Sequence, residues 1–334
     1  MVSNSQSARY VVGTTGVNVL LTGGTGFFGL ALLKYMAVNT SPCEVTVLSR
    51  NPDAFLTEYP QWSAIPWLTF HAGDVTEVNS LDALKGSGRF THLLHAATDS
   101  THFAGLNALM RMDQIIAGTR NMLQFATEQH IRRFLLTSSG AVYGAQPADM
   151  ATLGETYLGA PYPLMPENTY GLAKRMAEHL CAVAAGAGSV QTVVARCFAF
   201  VGPDLPFDAH FAIGNFIRDA LYKPTIDVKG DGSPIRSYMH QSDLAHWLLM
   251  LLMHGRNGHA YNVGSDQSMS IATVANLVRD VLAPTKPVVL RGVPDSHNQQ
   301  RNLYVPDITK AKETLGLQIK VQIKDAIWLS ANRL

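Results

Sequence analysis

The sequence predicts an α/β chain: a doubly wound parallel sheet followed by a smaller α/β lobe. Three observations carry this. Apolar runs of four to six residues alternate with amphipathic stretches of ten or more through the first two thirds of the chain, the pattern of parallel strands covered by helices. A glycine cluster, GGTGFFG at 23–29, sits between the first apolar run and an alanine- and leucine-rich stretch. After about residue 197 the texture shifts to shorter segments rich in turn residues, such as VGPDLPFD and KGDGSPIR.

Taken in order, residues 1–16 (MVSNSQSARYVVGTTG) read as a tail without the basic, apolar and small-residue regions of a signal peptide. The predicted strands are VNVLLT (17–22), EVTVLS (44–49), WLTFHA (67–72), THLLHAA (91–97), RRFLLTS (132–138) and VQTVVAR (190–196). A helix with apolar positions every three to four residues fills the stretch between the fourth and fifth strands, and another follows Pro166. Helices are expected again near 209–222, 242–254 and 270–283. Residues 17–196 then form a dinucleotide-binding domain that carries the catalytic residues. Residues 197–334 form mainly a substrate lobe, with segments returning to the first domain.

Composition narrows the function classes. The chain has 334 residues, 47% hydrophobic and 15% charged, with a formal net charge of +1, which gives no electrostatic reason to expect nucleic acid or an anionic membrane as partner. The longest apolar stretch, WLLMLLM at 247–253, is far short of the roughly 20 residues that span a bilayer, so a core helix is expected. Cys43, Cys181 and Cys197 follow no disulfide-framework or zinc spacing. The histidines form no H-x-x-x-H or HExxH pair, so no metal is expected, and a reducing cytoplasm suits the chain.

In GGTGFFG, Gly24, Gly26 and Gly29 fit G-x-G-x-x-G, while Gly23, Gly26 and Gly29 fit G-x-x-G-x-x-G. Both are dinucleotide fingerprints, and strand before and helix after supply the required context: a tight turn, backbone N–H groups close to a pyrophosphate, and a helix N-terminus aimed at its charge. Phe27 and Phe28 begin that helix. NAD-specific versions hold the ribose with an acidic residue about 20 positions on. That position here is Ser49, followed by Arg50, so no carboxylate repels a 2′-phosphate and the guanidinium suits one. NADP is therefore favoured over NAD. Asp74 and Val75 after the third strand, and Ala96 and Ala97 after the fourth, fit an adenine and its ribose.

Tyr170 and Lys174 form Y-x-x-x-K, one helical turn apart and on one face. A phenol titrates near 10 and must come down by about two or three units to act as a base near neutrality, which a neighbouring ammonium and an oxidised nicotinamide both favour. Ser138 and Ser139 close the fifth strand in LLTSSGAVYG, where a hydroxyl can bind a reacting oxygen.

The glycine turn, TSSGAVYG and YGLAK, in that order, resemble the extended short-chain dehydrogenase/reductase family, specifically its nucleotide-sugar epimerases, dehydratases and reductases. The resemblance runs from about residue 17 to about 330 and implies a Rossmann domain. It also implies Ser139 as catalytic serine, Tyr170 as acid/base and Lys174 as its partner and ribose ligand. The family's 4,6-dehydratases carry acids at the two positions after the catalytic hydroxyl, and its decarboxylases also use a nearby carboxylate. Here Gly140 and Ala141 stand there, which disfavours elimination and decarboxylation. RCFAFVGP resembles the family's R-x-F-N-x-x-G-P segment with Ala199 in place of asparagine. Asn215 lies near the expected nucleotide-gripping helix. GDGSPIRSYMHQSDLA implies Arg236 as a diphosphate ligand, QQRNLYVPDITKAKETLGL implies Arg301 as a second, and Thr98 lies where the reacting ring is reached.

The expectation is an NAD(P)-dependent enzyme acting on a nucleotide-diphosphate sugar by hydride transfer, leaning to a 4-keto sugar nucleotide reductase. The alternative is a 4-epimerase with tightly held NAD, and a minor one a non-catalytic dinucleotide-sensing protein. A homodimer through the helices near 107–129 and 167–186 is a further implication of the resemblance.

Overall fold

The computed structural model describes residues 16–39, 43–85, 90–98, 107–209, 211–292 and 302–333. The first two thirds hold β1 (Asn18–Thr22), α1 (Phe27–Asn39), β2 (Glu44–Ser49), α2 (Pro52–Glu58), β3 (Leu68–Ala72), β4 (His92–His95), α3 (Ala108–Glu128), β5 (Arg133–Ser139), α4 (Thr169–Gly186) and β6 (Gln191–Cys197). There follow β7 (Phe200–Val201), α5 (Ala212–Tyr222), β8 (Ile226–Val228), β9 (Ile235–Arg236), β10 (Met239–His240), α6 (Gln241–His254) and β11 (His259–Val263). The chain then runs through β12 (Met269–Ser270), α7 (Ile271–Leu282), β13 (Val288–Leu290), β14 (Leu303–Tyr304), α8 (Thr309–Leu315) and α9 (Ile323–Asn332).

Seven parallel strands make one sheet in the order β3-β2-β1-β4-β5-β6-β11. Alternate residues of each strand serve opposite faces. On one side Val19, Leu21, Val45, Val47, Leu94 and Leu135 pack with α1 and α6; on the other Leu20, Leu48, Leu93, Phe134 and Leu136 pack with α3 and α4. Both faces are apolar because both are covered, which is why these strands read as continuous apolar runs. The order reverses between β1 and β4, and the crevice at a reversal is where such sheets take ligands.

All six strands expected from the sequence form, within one or two residues at most ends. The seventh, β11, comes from HAYNV beyond residue 197 and pairs with β6 at the sheet edge. With α6, it returns the chain to the large sheet. Trp247, Leu248, Leu249, Leu251 and Leu252 of α6 are all buried, so WLLMLLM is a core helix. Among the described residues no helix is long and apolar enough to cross a membrane.

The smaller lobe closes on Ile213, Phe216 and Ile217 of α5, Val274 and Val278 of α7, and Ile327 of α9. Short strand pairs complete it: β7 with β10, β8 with β13, and β9 between β12 and β14. The last set carries Arg236 and Tyr304 opposite each other.

Candidate active site

β1 ends at Thr22 and the glycine turn begins at once. Gly23 has φ +74°, and a Cβ there would lie 2.5 Å from the Ala96 carbonyl carbon. A side chain on Gly29 would strike the backbone of Gly24. These two glycines are demanded by the chain itself. Gly26 differs: a Cβ would meet only the Gly23 carbonyl oxygen, at an ordinary 3.6 Å. The space beside it is a cradle a side chain would fill, at the start of α1, where first-turn N–H groups of Phe27, Phe28 and Gly29 have no helical partner. The residues fit a pyrophosphate.

Thr22 ties the turn to β4, its carbonyl accepting from Ala96 N at 3.1 Å and its hydroxyl from Ala97 N at 3.3 Å. Its Oγ1 also meets Nδ1 of His95 at 2.8 Å. Burial, with Lys174 adding to it, lowers the His95 pKa to about 3, so the ring is neutral. Ser49 ends β2 half-buried and Arg50 is exposed beyond it. Asp74 turns one carboxylate oxygen, Oδ1, back onto Thr76 N and Oγ1 at 2.9 and 2.8 Å. Val75 is buried against Gly118, and its carbonyl accepts from Asn121 at 3.0 Å.

The residues expected to be catalytic come together where β5 meets α4. Lys174 is only 2% exposed, and its ammonium donates to Thr98 Oγ1 and to the Thr137 carbonyl, both at 2.8 Å. An ammonium has three donors, so one remains for a ligand. Burial lowers its pKa to about 8 against the pull of Cys197 and Glu178. Tyr170 is pushed up to about 12 by burial; the Ser139 hydroxyl and then the Arg111 guanidinium on α3 draw it down. Lys174 Nζ lies 5.9 Å from the Tyr170 ring centroid. Lys174's own hydrogen bonds go to Thr98 and Thr137, and Ser139 and Arg111 are further groups that favour the Tyr170 phenolate.

Sequence reasoning missed a second phenol. The Tyr304 oxygen lies 3.5 Å from Ser139 Oγ, and Ala141 N donates to the same Oγ at 3.1 Å. Its ring lies 4.7 Å from that of Phe198, centroid to centroid, and the Arg236 guanidinium sits 5.9 Å over it. A Cβ on Gly140 would lie 2.7 Å from both the Tyr304 hydroxyl and the Phe198 ring. Tyr304 lies 165 residues from Ser139 in sequence, and no local spacing signals it.

Beneath the site, Glu178 accepts from Ser138 at 2.6 Å and from Arg196 at 2.7–3.2 Å. Arg196 stacks 4.7 Å over Tyr143, whose hydroxyl donates to Asn262 at 2.7 Å. This buried network joins β5, α4, β6 and β11. Of the expected substrate contacts, Thr98 is tied to Lys174, and Arg236 donates to Asn302 and the Ile235 carbonyl. Asn215 lies in the smaller lobe, its amide on the Ala209 carbonyl at 3.1 Å. Arg301 lies outside the described residues.

With this geometry in place, residues 19–264 match the model of the NAD dependent epimerase/dehydratase family. The chain belongs to that family. Within the family it is similar to UDP-glucuronic acid decarboxylase 6 of Arabidopsis thaliana, 29% identical over 314 residues, covering 94% of this chain and 87% of the relative. Its fold resembles UDP-glucose 4-epimerase of Thermotoga maritima, solved with UDP-glucose (TM-score 0.81, 21% identity, 95% of this chain and 98% of that one). It also resembles RMD of Pseudomonas aeruginosa, solved with NADPH (TM-score 0.76, 25% identity, 95% and 99%). The seven-stranded parallel sheet flanked by helices is thus the Rossmann-like arrangement of these solved structures.

Proposed function

We propose that the protein reduces a 4-keto nucleotide-diphosphate sugar, with Tyr170 as proton donor and NADP favoured over NAD. The observation that carries this is the packing around Gly140. Phe198 and Tyr304 take up the space a side chain at that position would need, and Ala141 follows. The positions that would supply an elimination's acid and base carry neither, so Ser139, Tyr170 and Lys174 are left to handle protons.

A bound nicotinamide dinucleotide supplies the hydride. Burial keeps Tyr170 a neutral phenol near neutral pH, the form that gives a proton to a carbonyl oxygen as that oxygen becomes an alcohol. Ser139 donates to the phenolate left behind, and the Arg111 charge favours it. The third donor of Lys174 suits a ribose hydroxyl of the cofactor. Arg236 and Arg301 suit the substrate diphosphate, and the nucleotide sugars named for the relatives support that substrate class. Exposed Leu109 and Met110 on α3, with Met176 and Val183 on α4, support a homodimer through those helices.

The test supplies NADPH or NADH with a panel of 4-keto UDP-, dTDP- and GDP-sugars and follows loss of dihydronicotinamide absorbance. Turnover is expected with NADPH, and Arg50→Glu is expected to shift preference toward NADH by about tenfold, the worth of one lost ion pair to phosphate. Net interconversion of 4-epimers by protein that retains NAD through purification would instead establish an epimerase. Release of carbon dioxide from UDP-glucuronic acid would overturn the reading.

A further inference from the structure

We propose that Tyr304 is a positioning residue of this site, holding the Ser139 hydroxyl as a donor to the Tyr170 oxygen. The role rests on the reading of Tyr170 as proton donor. A serine hydroxyl has one proton and two acceptor positions. Ala141 N–H fills one acceptor position at 3.1 Å; the Tyr304 hydroxyl lies 3.5 Å away, where the geometry admits either oxygen as donor, and in the proposed role Tyr304 donates to the other. With Tyr304 donating, the single serine proton is free to turn to Tyr170, whose pKa Ser139 draws down, and not to Tyr304. The oxygen that gives up its proton to substrate then meets a donor already aimed at it. A contact of 3.5 Å is long, as catalytic hydrogen bonds often are before substrate binds.

Tyr304 suits the part because it stays neutral. Burial raises its pKa strongly, and a phenolate there would also face Tyr170 if that group ionised. Its place is firmly held. β14 pairs with β9, Val305 N donates to Gln146 Oε1 at 3.0 Å, and Leu153 N donates to the Val305 carbonyl at 2.8 Å. Phe198 packs one side of the ring. Gly140 is what admits it: any side chain there would displace the phenol.

The experiment titrates Tyr170 directly in cofactor-loaded protein labelled with 3-fluorotyrosine, which lowers phenol pKa values into the folded range. Fluorine resonances are assigned by their loss in Tyr170→Phe. Tyr304→Phe, which keeps the ring, is expected to raise the Tyr170 midpoint by about half a unit to one unit, the worth of one hydrogen bond. Ser139→Ala is expected to raise it at least as far, and the double variant no further than Ser139→Ala alone. Gly140→Ala, which pushes the phenol away without deleting it, is expected to move the midpoint in the same direction. An unmoved midpoint in Tyr304→Phe, or shifts that add in the double variant, would overturn the assignment. No sugar substrate enters the measurement, so a different reaction class would defeat the functional reading and leave this result standing.

Discussion

Lys174 is expected to cost the protein stability in a way that pH exposes. The unfolded chain holds this proton to 10.5, whereas burial makes the folded chain release it at about 8. At about 1.4 kcal/mol per unit, the charged lysine disfavours folding by about 3 kcal/mol at pH 7. Between about 8 and 10.5 the unfolded state binds more protons than the folded one, so this cost falls as pH rises, to about 2 kcal/mol at pH 9 and about 1 kcal/mol at pH 10. Wild type alone would conceal the trend. Cys197 is raised by burial from 9.0 to about 12 and Cys181 is raised as well, so both lose their protons first in the unfolded state and pull stability down above pH 9. Lys174 itself lowers both thiols, but up to pH 9 burial keeps them protonated in the folded state with or without its charge, so the comparison of wild type with Lys174→Met leaves their contribution nearly unchanged. Methionine leaves the Thr137 carbonyl without its donor, at about 1–3 kcal/mol, but that loss does not depend on pH. Urea unfolding of the cofactor-free proteins at pH 7, 8 and 9 should therefore show the stability of Lys174→Met relative to wild type falling by about 1 kcal/mol across the series. A difference that stays constant would refute the claim that a charged lysine is held against its burial, and with it the view that this position trades stability for function.

Substitutions at Gly23, Gly26 and Glu178 probe the frame. Gly23→Ala forces a Cβ to 2.5 Å from Ala96 at φ +74°, so it should destabilise the protein by about 2 kcal/mol or more; Gly26→Ala meets nothing closer than 3.6 Å and should melt like wild type while binding the dinucleotide at least about tenfold more weakly. Thermal melting and cofactor titration separate the two. Glu178→Ala leaves Arg196, only 15% exposed, without its carboxylate, and should lower stability by about 3–5 kcal/mol in urea unfolding, with Glu178→Gln recovering part.

The sheet was legible in the sequence because strands covered on both faces leave uninterrupted apolar runs, and Y-x-x-x-K was legible because both residues lie within one turn of one helix. What escaped depends on long-range pairing. HAYNV is half polar, and only its partner β6 makes it a sheet strand. The electrostatics of Tyr170 escaped for the same reason. The spacing placed Lys174 beside it, but Thr98 and Thr137 claim the ammonium, and Arg111 arrives from α3.

Glycines mark this site for three different physical reasons. Gly23 and Gly29 are required by neighbouring backbone, whereas nothing within the chain crowds Gly26, where the expected pyrophosphate would need the space. Gly140 is required by two aromatic side chains, one of them from β14. In the sequence, Gly140 signals only a missing acid. In the structure the space a side chain at 140 would need is taken by Phe198 and by the Tyr304 phenol, whose oxygen lies 3.5 Å from Ser139 Oγ. What can stand at the positions after Ser139 therefore depends on the distant segment that packs there as well as on the local sequence.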